Sequence, residues 1–588
     1  MYNIFPVPAF ATARTVTGTS LLMLMLTLSC TLGAQNTPPV TSVKVLEVAA
    51  GSAVDSAAIY GLVATARNPG MTFGQLNDVS ADLRELYSTH SWQPRWLKTA
   101  GAADKITYAP SQAAVELVAA INLVWQRGLN AKDYDVVNLP ALMLQLGTPQ
   151  ARAAYDVAFS ANALRLVRSL HDGRLRPSDA HAALRIPRAK YDAAAVVRNM
   201  ADSARVEHLL DSEEPPFIHY SLLKKSLAKY RALRGDSALT NLPLLPKGKI
   251  VKPGGEYMAI SHLRNLLTAL GDLPLSNYAA NPDSTVLLGD VLEGLRHFQK
   301  RTGLESDGNL GPMTIAALRK PFDARVQTIE LSLERWRWLP RSYVAPPILV
   351  NLPAFRLFAY RSSSDDEREI LEMDVAIGGS FDKKTPIFSD TLRSIVFSPY
   401  WDVPISISTA EIIPKARNDI DYLDKNDYEI VRGDGDLSPV LPNDGNSLDM
   451  VLKGSARIRQ KPGPKNSLGG VKFLFPNSYN IYFHDTPSRG AFKHARRDVS
   501  HGCIRLSEPA ELAALLLADQ EKWTREVIDS SMSLPVPLRV AVRKPRPVFI
   551  LYSTAMAAQD GKIYFYPDIY GYDTELLAKL DKSYPYAH

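Results

Sequence analysis

The sequence predicts a multidomain α+β protein in which helical modules come first and a mainly β domain follows. Three observations predict it. The 588 residues correspond to three or four domains at roughly 100 to 200 residues each. The apolar spacing is helical as far as about residue 320 and shortens to β-type runs after about residue 345. A hydrophobic fraction of 46% against 22% charged is the balance of a soluble globular chain, with ample sequence for more than one core.

The N-terminus reads as a secretory signal over residues 1–34. Arg14 precedes the apolar run Leu21-Leu22-Met23-Leu24-Met25-Leu26, and small and polar residues follow at Gly33-Ala34-Gln35-Asn36. The run is short for a membrane span of about 20 residues, so cleavage after Ala34 is expected, with an uncleaved anchor as the alternative. Cys30 raises a lipoprotein signal, but Thr27-Leu28-Ser29 before it is a poor match. Residues 35–70, rich in Ala, Thr, Pro and Ser, read as a linker. Residues 71–250 are expected to form a helical scaffold, because stretches such as 113–120 and 164–170 place apolar side chains on one face.

Residues 258–320 read as a compact helical unit. One amphipathic helix covers 291–299, Asp307-Gly308 supplies a tight turn, and Pro312 suits the first turn of the next helix. With Phe298, Gln299, Asp307, Gly308, Gly311, Thr314 and Leu318 at its spacing, this run resembles the peptidoglycan-binding domain family, a three-helix module. The segment between Leu270 and Gly289 is longer than the compact form of that family. The alternative is that these residues only build the small fold.

Short β-type runs such as 348–352, 356–360, 373–377, 395–397 and 480–484, separated by Gly, Pro and Asp, place a mainly β domain at 345–545. Within it, the polar stretch 405–455 reads as an insertion and a lid. Residues 546–588 are expected as an extension packing on the scaffold or on the β domain.

Two cysteines, Cys30 and Cys503, leave one thiol once the signal is removed, so no internal disulfide can form. Cys503 lies in Ser500-His501-Gly502-Cys503-Ile504-Arg505, downstream of His484-Asp485. A thiol becomes a nucleophile when a base or a positive charge favours its thiolate. His501 and His484 are both candidate bases. Alternate strand residues share a face, so Tyr482 and His484 point together. Gly502 permits a sharp turn that aims nearby amides at an oxyanion, and the Arg505 guanidinium suits a carboxylate. The arrangement suggests acyl transfer through a thioester. Cys503 with His484, His494 and His501 fits no common zinc spacing, so neither metal nor cofactor is expected. A net charge of +6 from 67 basic and 61 acidic residues argues against a nucleic-acid binder.

Residues 345–545 resemble the L,D-transpeptidase catalytic domain, whose hallmark is a His, some 14 to 17 residues, then Ser/Thr-His-Gly-Cys. Here 15 residues (485–499) lie between His484 and Ser500. Residues 398–404, 458–464 and 472–477, and the order of modules, resemble the large periplasmic branch of Gram-negative bacteria. The resemblance implies Cys503 as nucleophile and His484 as general base, its imidazole oriented by the backbone carbonyl of Asp485. It implies that Ser500, His501 and Gly502 shape the oxyanion pocket, and that Arg505, Tyr482 and Trp401 contact substrate. It further implies a periplasmic peptidoglycan cross-linking enzyme with a tetrapeptide donor stem, a diamino-acid acceptor and release of D-Ala. A D,D-carboxypeptidase and other cell-wall synthesis proteins are the implied partners, and carbapenems are implied to acylate the thiol. A lipoprotein lysine or water as acceptor, a non-catalytic peptidoglycan-binding scaffold, and a cysteine peptidase are the competing readings.

Overall fold

The computed structural model describes residues 46–48, 52–101, 106–186, 188–273, 285–362, 370–379, 383–419, 421–558 and 561–582. The signal at 1–34, Cys30 and the first part of the expected linker lie outside them. So does 274–284, most of the long segment after Leu270. Among the described residues no helix is long and apolar enough to cross a membrane. The architecture is α+β.

The linker expectation fails from residue 52 onward. Ser52–Ala64 is a helix (α1) that packs along the 24-residue helix Pro149–Asp172 (α2). Asp55, Ile59 and Val63 recur every four residues and are all buried. Each of the two aliphatic side chains contributes about 1.5 to 3 kcal/mol by leaving water. The Ala- and Ser-rich composition concealed that stripe. Asp55 meets the buried Arg152 of α2, whose Nη2 lies 2.8 Å from Oδ1. The core around α2 ends at Leu210, which corrects the 71–250 boundary. Helix Ile218–Ala232 (α3) belongs to the next core, because its Leu223, Leu227 and Tyr230 pack with the following module.

That module contains helices Ile260–Leu270 (α4), Gly289–Arg301 (α5) and Pro312–Leu318 (α6), with Pro312 at the start of α6. Gln299 is its hub. Its Nε2 donates to Asp307 Oδ1 (3.1 Å), the Asn309 carbonyl (3.0 Å) and Thr314 Oγ1 (3.2 Å), and its Oε1 accepts from the Gly308 amide (2.9 Å). The motif residues therefore bond to one another and fix the turn. Helix Phe322–Arg337 (α7) joins this unit to the β domain.

The β domain is a closed barrel of eight strands: Ile348–Asn351 (β1), Arg356–Tyr360 (β2), Ile370–Ala376 (β3), Phe388–Phe397 (β4), Val471–Leu474 (β5), Phe483–His484 (β6), Ile504–Leu506 (β7) and Leu538–Leu551 (β8). Their order around the barrel is β5-β6-β7-β3-β2-β1-β8-β4. Two boundaries shift. β8 runs past residue 545, so the domain does not end there and the extension begins inside the barrel wall. After β8, a hairpin of Ala555–Ala557 and Ile563–Phe565 enters the core of the α3–α7 module, and helix Tyr572–Leu580 (α8) packs on α7 and the barrel. The insertion spans 401–460 rather than 405–455. Trp401–Asp402 and Arg457–Gln460, its first and last strands in the chain, pair with each other, and it has its own core around Ile413, Leu423, Ile430 and Ile458.

Candidate active site

The pairing of β5, β6 and β7 positions the chemistry. Lys472 pairs with His484 and Phe473 with Phe483, while Phe483 pairs with Ile504 and His484 with Arg505. Directly paired residues project to the same face, and alternate residues share it. Phe473, Phe483 and Ile504 fill the barrel. Lys472, Tyr482, His484, Cys503 and Arg505 therefore occupy the opposite face of three adjacent strands. Cys503 sits diagonally from His484, at about 8 Å between α-carbons from strand spacing and rise.

His484 is buried, and its Nδ1 lies 2.5 Å from the Asp485 carbonyl. The Asp485 carboxylate points elsewhere, accepting from the Gly470 amide (2.8 Å) and Arg489 Nη2 (2.8 Å). Burial holds the imidazole down to about 3; the positive charges of Arg505 and Lys472 add to this, and the bond to Asp485 opposes it. Burial likewise raises the Cys503 thiol above its ordinary value, against the opposing pull of Tyr482, Arg505 and Lys472. The resting pair is neutral thiol and neutral imidazole. The thiol is free of any disulfide and donates to the Asn480 carbonyl at 3.7 Å. The Tyr482 ring lies 5.8 Å from the His484 ring, edge to face.

The turn before Cys503 is held by its own side chains. Ser500 Oγ accepts from the Gly502 amide (3.1 Å) and donates to the Cys503 carbonyl (2.6 Å). Gly502 has φ +122°, a conformation that side chains disfavour. Its amide is engaged by Ser500 Oγ within the turn. His501 turns outward, with its Nε2 3.0 Å from Glu411 of the insertion. That places it on the lobe contact rather than beside the thiol, and leaves His484 as the histidine on the thiol's face. Arg505 is half-buried on the thiol's face, and its Nε is buried without a hydrogen-bond partner among the described residues. Trp401 lies on the insertion, its ring 6.4 Å from Tyr428. The neighbouring Tyr400 carbonyl accepts from Lys472 Nζ (3.2 Å), which ties that edge of the lobe to the site.

Residues 346–536 match the profile of the L,D-transpeptidase catalytic domain, and residues 81–227 match that of a scaffold domain. Residues 346–536 form an L,D-transpeptidase catalytic domain. A Haemophilus influenzae protein described as a candidate L,D-transpeptidase is 33% identical to the chain over 256 residues, covering 43% of this chain and 50% of the relative. The chain thus spans about half the length of the curated relative it matches.

The L,D-transpeptidase barrel also uses residues that sequence reasoning did not single out. Lys472 was visible as a lone cation in the apolar run 471–475, but only the pairing places it beside His484. Thr385 Oγ1 donates to the Gly502 carbonyl (2.7 Å) and accepts from the Gly378 amide (2.9 Å). Tyr570, beyond the matched domain, donates its hydroxyl to the Gly378 carbonyl (2.6 Å) and accepts from the Thr385 amide (3.2 Å). No sequence signal links Tyr570 to Gly502, which lies 68 residues earlier (502 to 570).

Proposed function

We propose that the protein is a periplasmic peptidoglycan L,D-transpeptidase that forms 3–3 cross-links through a Cys503 thioester. The observation that carries this reading is the parallel pairing of β6 with β7. It sets the thiol on one face with an imidazole whose Nδ1 is tied to a carbonyl and whose Nε2 is left to accept a proton. In the first half-reaction the Cys503 sulfur bonds to the carbonyl carbon of the third residue of a donor tetrapeptide, an L-centre of a diamino acid. The thiol proton passes to His484 Nε2. The C–N bond to D-Ala then breaks, and the imidazolium returns its proton to the departing amine. In the second, a side-chain amine of another stem attacks the thioester, His484 accepts its proton, and the C–S bond breaks to restore the thiol. The Arg505 guanidinium, half-buried on the same face as the thiol, is a planar cation that suits a stem carboxylate. A D,D-carboxypeptidase would supply tetrapeptides by trimming pentapeptides.

Incubation of the full chain with disaccharide tetrapeptide, resolved by mass, tests the reading. The expected products are a cross-linked dimer and free D-Ala, and a carbapenem should add its mass at Cys503. Cys503→Ala should abolish both. Cross-links made by Cys503→Ala would overturn the mechanism, and release of tripeptide alone would replace the amine acceptor with water.

A further inference from the structure

A groove of about 640 Å³ opens between the turn after α5, the outer face of β2 and β3, and the 555–565 hairpin. Its size falls within the range of about 300 to 1,000 Å³ typical of ligand sites. Part of its wall is the loop carrying Phe492 and Arg497, which runs on to Ser500. The Ala495 amide of that loop donates to Glu305 Oε1 (2.8 Å), so the loop is fastened to the helical module.

The lining has two characters. Tyr564 and Tyr566, alternate residues at the end of the hairpin, hold rings 6.5 Å apart and inclined by 25°, and Phe492 adds a third aromatic plane. The charged groups largely neutralise one another. Arg356 lies 3.4 Å from Glu372 and 3.3 Å from Asp374, and Arg497 Nη2 lies 2.8 Å from Asp374. Such a lining suits neither a polyanion nor a wholly apolar ligand. It offers aromatic faces beside paired donors and acceptors, which match a ring with an apolar C–H face and a rim of hydroxyls and amides.

We infer that this groove binds a neutral glycan strand of N-acetylated hexosamines, separately from the peptide stems that reach Cys503. The inference rests on the cell-wall reading above, which makes such a strand the polymer that carries the stems. The site joins the helical module, the barrel and the C-terminal hairpin, so no one of them contains it alone.

Calorimetric titration of full-length Cys503→Ala protein with a β-1,4-linked N-acetylglucosamine hexamer tests it. Saturable binding is expected, weakened at least tenfold by Tyr564→Ala and by Phe492→Ala. Phe492 lies on a half-buried loop, so its variant keeps the test valid if the hairpin variant fails to fold. Absence of saturable binding, or binding that Phe492→Ala leaves unchanged, would overturn the inference. So would displacement of the hexamer by a free stem tetrapeptide. The titration involves no chemistry. Binding without cross-linking by the wild type would sink only the proposed reaction, and cross-linking without binding would sink only the groove.

Discussion

A carbonyl oxygen can only accept a hydrogen bond, so the contact from His484 Nδ1 to the Asp485 carbonyl places the imidazole proton on Nδ1 and frees Nε2 as a base. With the imidazole held near 3 and the thiol raised, a pre-formed thiolate–imidazolium pair is not the resting state at neutral pH. Alkylation of Cys503 by iodoacetamide should therefore climb about tenfold per pH unit through neutrality and level off only above the ordinary thiol value of about 8.5. A plateau reached by pH 6 would contradict this. Lys472 pulls the thiol down, so Lys472→Met should move the alkylation midpoint to higher pH, which the same titration reads.

At the scale of elements, the nucleophile turn depends on a chain of bonds that leaves the matched domain and returns to it. Tyr570 grips Gly378 and Thr385, and Thr385 grips Gly502. Gly378 packs so closely that a Cβ there would lie 1.9 Å from the Lys383 carbonyl, so that position tolerates no larger residue without the backbone moving. Tyr570→Phe removes the hydroxyl and strands two buried backbone groups, at about 1 to 3 kcal/mol. We expect acylation by a carbapenem to slow about tenfold or more while the noncovalent affinity changes little, as stopped-flow measurement of the two steps will show. Equal losses in both steps would assign Tyr570 a general structural role instead.

Across the whole molecule, a buried ion pair and a buried neutral histidine make stability sensitive to substitution and to pH. Asp55→Ala leaves Arg152 unpaired in the scaffold core and should cost about 3 to 5 kcal/mol in urea unfolding. His181 is held to about 3, first by burial and then by Arg335 and Lys579, and it packs against the rings of Trp338 and Tyr572. Its folded value lies below its unfolded value of about 6.5. The stability it lends is therefore complete above pH 6.5 and is lost as pH falls toward 3, by up to about 1.4 kcal/mol per unit. His181→Phe should lose stability less steeply between pH 6 and 4, measured by denaturant melts across that range.

The sequence by itself determined the α+β class, the helix-to-strand change near residue 345, and a candidate thiol, Cys503, with His484 and His501 both open as its base. Those features reside in local periodicity and in a motif whose spacing is read along the chain. Tertiary structure alone decided that α1 belongs to the scaffold core, because its apolar stripe is narrow and its composition resembles a linker. It also decided that His501 faces Glu411, that Lys472 stands beside His484, and that Tyr570 braces Gly502. Each of these joins residues far apart in sequence, through strand register or through buried hydrogen bonds. Such contacts leave no periodic trace in a single chain, because the energy that selects them appears only when both partners have left water together.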